Sequence, residues 1–309
     1  GLTIDSLVSA DIVLADGTMV TASESQHPDL FWAIRGGGGN FGVVTSFEFE
    51  AHPVSDVIAG PMLWHLDRAA EVMRFYREFV PAAPTDMNGF LAFMTVPPAP
   101  PFPDSLHGKP MCAIVFCHTG SEEAAARDLA PARSLGPALD GVAPMPYPML
   151  QSAFDALYPP GLQMYWRADF MRGLPDDAIE AHVEHAAELP TPLSTMHLYP
   201  VDGAVHQVAP DATAFRFRDA MFSQVIVGID PDPANAQRIT DWTRRYHDSL
   251  HRFGAGGAYV NFLMDEGEAR VADTYGENYA RLCSIKRKYD PDNVFHVNQN
   301  IRPEKLCPD

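Results

Sequence analysis

Residues 35–45 read Arg-Gly-Gly-Gly-Gly-Asn-Phe-Gly-Val-Val-Thr, and the order of elements around this stretch decides the fold. A short helix is predicted before it, at 27–35, because a proline stands in the first turn and the glycine run ends the helix. A strand is predicted after it, at 43–49, because apolar and polar residues alternate there. Four consecutive glycines cost backbone entropy, and the end of a helix needs only one. Two explanations stay open: close approach of the main chain to a large ligand, or tight packing of the helix against a sheet.

The glycines at 37, 39 and 42 also satisfy the spacing GxGxxG. In dinucleotide-binding proteins this motif follows a strand and begins a helix, so that the phosphates meet the helix N-terminus. Here the order is reversed, and no helix is predicted after the loop. A Lys-Ser or Lys-Thr pair, which a P-loop needs, does not follow Gly42 either. The motif therefore predicts neither a dinucleotide fold nor a nucleoside-triphosphate site.

Outward from this loop, helices and strands alternate along the chain. A hairpin is predicted at 8–22, turning at Ala15-Asp16-Gly17. The further predicted helices lie at 67–80, 122–134, 176–188, 233–252 and 269–289, and the further strands at 89–96, 111–118, 163–171, 194–200, 204–208, 221–228 and 258–264. This order predicts an α+β fold in which an antiparallel sheet is covered by helices.

The composition is that of an acidic globular protein. The 309 residues include 22 Lys+Arg and 40 Asp+Glu, and a net charge of −18 argues against a nucleic-acid partner, because phosphates require a basic surface. No apolar run approaches the roughly 18 residues of a membrane span, so no membrane partner is predicted. Cys112 and Cys117 are expected to be buried small residues. The chain opens at Gly1 in what looks like the middle of a domain, so no targeting segment can be read and the compartment is not predicted.

Two stretches resemble one known family. Residues 28–47, Pro-Asp-Leu-Phe-Trp-Ala-Ile-Arg-Gly-Gly-Gly-Gly-Asn-Phe-Gly-Val-Val-Thr-Ser-Phe, closely resemble the second half of the FAD-binding domain in berberine bridge enzyme-like flavoproteins. These belong to the vanillyl-alcohol oxidase / p-cresol methylhydroxylase superfamily. The tail matches independently, from Gly-Ala-Tyr-Val-Asn at 257–261 through Lys-Tyr-Asp-Pro at 288–291 to Asn-Gln-Asn-Ile at 298–301.

This resemblance implies a domain organisation. Residues 1–55 would form the second part of a p-cresol methylhydroxylase (PCMH)-type FAD-binding domain. Residues 56–265 would form a substrate-binding α+β domain, and 266–309 a carboxy-terminal berberine-bridge-type segment that returns to the FAD domain. The family's first FAD subdomain, with its residues for covalent flavin attachment, is expected to precede Gly1. Since no residue of the printed chain takes that role, we expect this chain alone to bind FAD weakly and to be inactive.

The resemblance also implies which residues contact FAD. They are Gly38, Gly39, Asn40, Phe41, Gly42, Val44, Asn261 and Asn298. Backbone N–H groups suit a polyanionic cofactor in an acidic protein. Asn40 would either donate a side-chain hydrogen bond or adopt a left-handed turn. Asn298 and Asn300 would either line the flavin edge or serve as turn residues.

Tyr259 is the predicted catalytic residue, because it matches the tyrosine of the family's Tyr-x-Asn motif, which faces the flavin ring. An alcohol loses hydride to flavin N5 only as its hydroxyl proton leaves, so a base must reach that oxygen. A phenol ordinarily titrates near pH ~10 and would need a cationic or hydrogen-bonding neighbour, for which Arg216 and Arg218 are candidates. Strand alternation would put Asn261 on the same face as Tyr259. The alternative is that Tyr259 is an ordinary half-buried aromatic residue.

These residues predict an FAD-linked oxidoreductase that transfers hydride from an alcohol, a sugar or a related small C–H substrate to the flavin. The substrate domain offers polar and aromatic candidates on its strands, each of which could equally be core or surface: Tyr165, Trp166, His197, Tyr199 and Gln207. The alternative function is a non-catalytic ligand-binding module derived from such an enzyme.

One histidine pair resembles a metal motif. His247 and His251 stand four apart on a predicted helix, as in HExxH. No third ligand is evident in the sequence, and arginines at 244, 245 and 252 crowd the segment. A solvated helix face is therefore favoured over zinc, and no metal site is predicted.

Overall fold

The computed structural model describes residues 1–296 and 299–303. The chain forms two compact units. The first contains Gly1–His52, Val201–Ala220 and the segment from Gly256 onward, and the second contains Pro53–Pro200 and Met221–Ala255. Residues 201–220, which the sequence analysis grouped with the middle of the chain, thus belong to the first unit.

The strands of the described chain follow the sequence in this order: β1 (Leu7–Val13), β2 (Met19–Ser23), β3 (Val43–Phe49), β4 (Asp56–His65), β5 (Met87–Thr95), β6 (Pro110–His118), β7 (Leu139–Asp140), β8 (Ala143–Pro146), β9 (Gln163–Met171), β10 (Thr195–Pro200) and β11 (Phe222–Asp230). The α-helices are α1 (Pro28–Ile34), α2 (Ala69–Phe79), α3 (Glu122–Asp128), α4 (Ala130–Ser134), α5 (Tyr147–Ser152), α6 (Asp176–Ala186), α7 (Ala236–Leu250), α8 (Glu268–Tyr275) and α9 (Tyr279–Tyr289). None of the described helices is long and apolar enough to cross a bilayer.

The first unit is built on a three-stranded antiparallel sheet in the order β2-β1-β3. Its hairpin turns where the sequence predicts, with Gly17 at φ +82°. Helix α1 buries four consecutive residues, Leu30 to Ala33, in a core that also contains Tyr275 of α8 and Leu282 of α9. Because the glycine run follows α1 directly, its conformation is fixed by this core.

The second unit contains an eight-stranded antiparallel sheet in the order β7-β4-β6-β5-β10-β11-β9, with β8 also paired to β4. Helices pack on the sheet around a core that includes Trp64, Met73, Phe93, Ile179 and Trp242. The predicted α+β class, with helices covering an antiparallel sheet, is therefore confirmed.

Four sequence-based assignments differ from the structure. Residues predicted as strands at 204–208 and 258–264 instead form the 3-10 turns Gly203–Gln207 and Val260–Phe262. Strand β4 was missed because Gly60 and Pro61 interrupt its apolar pattern. Its glycine is required, since a Cβ there would collide with the carbonyl oxygen of Gly141. The predicted long helix over 269–289 is broken at Gly276, whose φ of +50° ends α8.

Candidate functional site

A cavity of about 340 Å³ lies in the first unit, beside the glycine run. Its wall brings together residues from distant parts of the chain: the loop after α1, the turn Val260–Phe262 and the segment Val201–Ala220. The lining residues are Gly1, Leu2, Thr3, Ile4, Ile34, Gly36, Gly38, Phe215, Tyr259, Val260 and Asn261. A cavity of this volume is in the range that small-molecule sites occupy.

Two of the four consecutive glycines are required by internal packing. Gly36 has φ +122°, and a Cβ on it would lie 2.6 Å from the backbone nitrogen of Phe215. A Cβ on Gly37 would collide with the carbonyl oxygen of Ala33 and lie 2.9 Å from the ring of Phe41. At these two positions the tight-packing explanation holds.

The next two glycines face open space. Gly38 adopts φ +69°, and the nearest atom to its Cβ position is Asn40 Nδ2 at 3.8 Å. Gly39 is exposed, its φ lies outside the left-handed region, and its Cβ position has no described neighbour within 4 Å. Since the protein itself does not require a glycine at 39, the missing side chain leaves room for a ligand. The ligand explanation therefore fits this half of the run.

The side chain of Asn40 connects the glycine loop to residues 299–301 and does not line the cavity. We call this set of contacts the clamp. Its Nδ2 donates to the carbonyl oxygens of Gly37 at 2.9 Å and Gln299 at 3.0 Å, and its Oδ1 accepts from the backbone nitrogen of Ile301 at 2.9 Å. The residue is buried, and its φ is negative. Both sequence interpretations of its side chain, a cofactor hydrogen bond and a left-handed turn, are corrected by these contacts.

A buried ion pair extends the clamp. The carbonyl oxygen of Asn40 accepts a hydrogen bond from Lys286 Nζ at 2.7 Å, and the same Nζ donates to Asp290 Oδ2 at 2.5 Å and to the carbonyl oxygen of Phe295 at 2.6 Å. Burial alone would raise the pKa of Asp290, but hydrogen bonds from Lys286 and from the backbone of Phe295 and Val294 outweigh burial and lower it. The pair is therefore held in its charged form and joins the glycine loop to α9.

The remaining predicted cofactor residues of the loop do not line the cavity. Phe41 is fully buried in the core of the first unit, which corrects its assignment as a contact residue. A Cβ on Gly42 would lie 2.5 Å from Ile12 Cγ2, so packing against β1 accounts for this glycine. Val44 pairs with Ile12 in the β1–β3 ladder. Asn298 lies outside the described residues.

Tyr259 and Asn261 lie in the cavity wall and contact each other. Asn261 Nδ2 donates a hydrogen bond to the Tyr259 hydroxyl oxygen at 2.7 Å. The expected proximity therefore holds, although a 3-10 turn creates it and not strand alternation. An amide donor on the phenol oxygen would stabilise negative charge there and leaves the hydroxyl hydrogen free to meet a ligand.

The two arginines considered as neighbours of Tyr259 make other contacts. Arg218 is buried and binds Asp5 with two hydrogen bonds, 2.9 Å to Oδ2 and 2.6 Å to Oδ1. Arg216 lies 3.7 Å from carboxylate oxygens of Asp219 and Glu277. The described polar neighbour of the phenol is thus an amide and not a guanidinium.

Sequence reasoning missed Phe215 as a wall residue. Its ring lies 6.4 Å from the ring of Tyr259 in an edge-on arrangement, and its backbone packs against Gly36. The string Thr213-Ala214-Phe215 is also similar to the berberine bridge enzyme-like family, in addition to the two terminal stretches, and this similarity was the available signal. Ile34, at the end of α1, gave no signal because its type and spacing are those of an ordinary core residue.

In the second unit the structure brings together some of the substrate candidates. His197 Nδ1 and the Tyr199 hydroxyl on β10 lie 2.8 Å apart, and both rings contact Phe90 of β5. Burial lowers the pKa of His197 to about 4, so its ring is neutral at neutral pH. Tyr165 instead contacts α7 through Arg244, and Gln207 lies in a 3-10 turn of the first unit.

The histidine pair of α7 has a third neighbour that the sequence did not reveal. Asp169 of β9 lies 3.0 Å from His247 Nε2 and 2.9 Å from His251 Nδ1, both measured to its Oδ2. The sequence analysis found no third ligand because strand and helix are far apart along the chain.

Comparison with known proteins gives a consistent set of relatives. Residues 258–302 match the family model described as "Berberine and berberine like". An FAD-linked oxidoreductase of Dictyostelium discoideum is 29% identical over 307 residues, covering 98% of this chain and 64% of that protein. An uncharacterized FAD-linked oxidoreductase of Bacillus subtilis (strain 168) is 30% identical over 312 residues, covering 98% and 66%. The chain thus spans slightly less than two thirds of the length of these relatives.

The fold has solved counterparts. The crystal structure of 6-hydroxy-D-nicotine oxidase from Arthrobacter nicotinovorans superimposes with a TM-score of 0.81 at 22% identity, covering 97% of this chain and 67% of that one. This likeness establishes the fold, and the sequence matches confirm the resemblance found in the two terminal stretches.

Proposed function

We propose that this chain, as a member of the berberine bridge enzyme-like family of FAD-linked oxidoreductases that it resembles, supplies the catalytic tyrosine and part of the flavin site of an enzyme that oxidises a small organic molecule. The proposed donor is an alcohol, a sugar or a related activated C–H compound. The observation that carries the proposal is that Gly38, one of the two open glycines, lines the same cavity as the Tyr259–Asn261 pair.

The wall at Gly38 and Gly39 fits a flat, polyanionic cofactor. A Cβ at 39 would meet no atom of the described residues within 4 Å, so the main chain there is open on that side. An exposed main-chain segment can offer N–H groups to phosphates without the basic surface that this acidic chain lacks. The chain's own residues therefore provide a place for part of FAD along the loop.

Tyr259 is proposed to hold or accept the substrate hydroxyl proton at its phenol oxygen. Asn261 supports this role, because its amide donates to the same oxygen and lowers the cost of charge there. When bound, FAD supplies the hydride acceptor of the oxidation. Phe215, on the same cavity wall, limits the volume beside the phenol and helps exclude water.

The two units are proposed to divide these tasks. The first unit holds the residues proposed for the cofactor and the base. The second offers the His197–Tyr199 pair beside Phe90, a polar and aromatic group of the kind that orients a small substrate. Within the predicted substrate domain at 56–265, the part that belongs to the second unit, Pro53–Pro200 and Met221–Ala255, is thus proposed to contain the substrate-contacting surface.

The glycine wall can be tested with a matched pair of variants in the natural gene product that contains this chain. We expect Gly39→Leu to weaken FAD binding at least about 10-fold, because a side chain would fill the space reserved for the ligand. Gly173→Leu in the second unit is the control, since its Cβ position is equally open and its φ lies outside the left-handed region. Flavin affinity is measured by fluorescence titration after the flavin is removed, or by flavin content on purification if attachment is covalent.

The three possible outcomes are distinct. Loss of flavin in Gly39→Leu alone, with unchanged melting temperatures in both variants, supports the proposed cofactor wall. Equal flavin binding in Gly39→Leu, Gly173→Leu and the unaltered protein would refute it. A natural gene product that contains no flavin at all would favour the non-catalytic ligand-binding module.

A further inference from the structure

We propose that Asp169, His247 and His251 form a binding site for a divalent transition metal of the zinc type in the second unit. This inference stands apart from the proposed oxidoreductase function, because it uses a different set of residues in a different unit. Among the described residues, these three form the cluster of potential ligands whose donor atoms all lie within 4.8 Å of one another.

The two histidine nitrogens both lie close to one carboxylate oxygen. The His247 Nε2 and His251 Nδ1 atoms lie 3.0 Å and 2.9 Å from the same carboxylate oxygen, Oδ2 of Asp169. Donors bound to zinc at its usual distances of about 2.0–2.1 Å are separated by about 3.3 Å in a tetrahedral site. The two nitrogen–oxygen distances are therefore within a few tenths of an ångström of those in a zinc site, and all three donor atoms lie within 4.8 Å of one another.

The donor set has the chemistry that zinc requires. Two imidazoles and one carboxylate are a common ligand set of zinc sites that keep a fourth position for water. Side-chain exposure differs across the site, from 2% for Asp169 and 11% for His247 to 54% for His251. The exposed imidazole gives the ion a path from solvent, and the buried carboxylate supplies negative charge in a poorly solvated place.

A supporting contact lies behind one ligand. The other ring nitrogen of His247, Nδ1, lies 3.5 Å from Asp248 Oδ1. Metal-bound histidines usually direct their second nitrogen toward a carboxylate or carbonyl group, which fixes the tautomer and the ring orientation. Asp248 is placed for this role, and it identifies Nε2 as the metal-facing atom of His247.

The backbone holds the three ligands in place. His247 lies in the last turn of α7 and His251 begins the following 3-10 turn His251–Phe253, so their spacing of four places both rings on one side, 5.1 Å apart. After that turn Gly254 pairs with Met171 of β9, and Ala255 N donates to the carbonyl oxygen of Phe170 at 2.6 Å. A Cβ on Gly254 would lie 3.5 Å from the Asp169 carboxylate carbon. The metal would thus join the end of α7 to β9.

The test is a zinc titration of the natural gene product that contains this chain, without an affinity tag and after treatment with a chelator. We expect one equivalent of Zn²⁺ to bind in competition with a chromophoric chelator, and Mg²⁺ not to displace it, because imidazole ligands favour zinc over magnesium. Co²⁺ bound at the same site should give visible absorption bands. Binding should weaken as the pH is lowered, because the ligands must lose their protons.

Variants test which residues bind the zinc ion. His251→Ala, at an exposed side chain, should fold normally and lower the zinc affinity by more than the roughly 10- to 100-fold that loss of a supporting partner causes. Asp248→Asn should lower it by about 10-fold. His65→Ala is the control, since His65 is an exposed histidine of the same unit outside the cluster. Failure to bind one equivalent of zinc, or equal affinity in His251→Ala and the unaltered chain, would overturn the proposal.

Discussion

A phenol that accepts a hydrogen bond from an amide keeps its own hydroxyl hydrogen for another partner. Tyr259 is in this state, because Asn261 Nδ2 donates to its oxygen. Phe215 and Gly36 pack beside the pair, so the phenol is positioned by main-chain and ring contacts as well as by the amide. At the residue scale, the proposed role of Tyr259 as a base depends on this polar contact.

Replacing Tyr259 with phenylalanine tests the base directly. In the natural gene product we expect Tyr259→Phe to reduce kcat by about 10²- to 10³-fold, the range that general-base catalysis contributes, while flavin content stays unchanged. The measurement is steady-state oxidation of an accepted substrate, with single-turnover flavin reduction as a second readout.

Tyr279→Phe is the matched control for that variant. Tyr279 is a half-buried tyrosine of the same unit that stacks on Tyr275 and does not line the cavity. If both variants retain the same turnover, Tyr259 is not the base.

At the scale of elements, the glycine loop is held by α9. The side chain of Asn40 ties the loop to residues 299–301, and Lys286 ties it to Asp290 and Phe295. Both charges of the Lys286–Asp290 pair are fully buried. Breaking such a pair leaves an uncompensated charge, so the element that carries the proposed cofactor wall depends on an ion pair far from it in sequence.

Lys286→Met should therefore destabilise the first unit by about 3–5 kcal/mol, as measured by urea unfolding. It leaves Asp290 buried without its cation, and the carbonyl oxygens of Asn40 and Phe295 without their donor.

Lys288→Met provides the comparison. Lys288 makes an ion pair with Asp29 at 2.7 Å, but its side chain is 58% exposed, and exposed pairs contribute about 0–1 kcal/mol. Similar losses of stability for the two lysine variants would contradict the role assigned to the buried pair.

For the whole molecule, the two units are predicted to lose stability in different pH ranges. Burial lowers the pKa of His182 to about 3 and that of His197 to about 4, from the ordinary value of 6.5 for a histidine. Below pH 6.5 the unfolded chain therefore binds protons that the folded second unit does not, so stability falls with decreasing pH. In the first unit Asp290 and Asp29 have pKa values lowered from 3.8, so their contribution persists until the pH falls below about 4.

Hydrogen exchange followed by mass spectrometry between pH 3 and 7 can resolve the two units. We expect protection in the second unit to decline from about pH 6.5 downward, and protection in the first unit to hold until about pH 4. His182→Gln should flatten the decline of the second unit, whereas His65→Gln, at an exposed position, should not. A simultaneous decline of both units at one pH would count against the assigned groups.

The sequence by itself determined the features that depend on neighbours in the chain. Strands Val43–Phe49 and Gln163–Met171 lie where alternation predicts them, and the hairpin turns at its glycine. The glycine run also suggested two explanations from the sequence, tight packing and close approach to a ligand. In the structure the first applies to Gly36 and Gly37, and the second fits Gly38 and Gly39. Local periodicity and backbone sterics suffice for such features, because the forces involved act within a few residues.

Only the tertiary structure decided which side chains meet across the chain. It placed Asn40 in a clamp with Lys286, turned the segment around Tyr259 into a 3-10 turn, and brought Asp169 to the histidines of α7. A residue's type restricts the partners it can accept, but its partner is selected by the packing of distant elements into one core. Those long-range contacts leave no periodic pattern in the sequence, and for that reason the clamp and the Asp169–His247–His251 cluster became visible only in the folded chain.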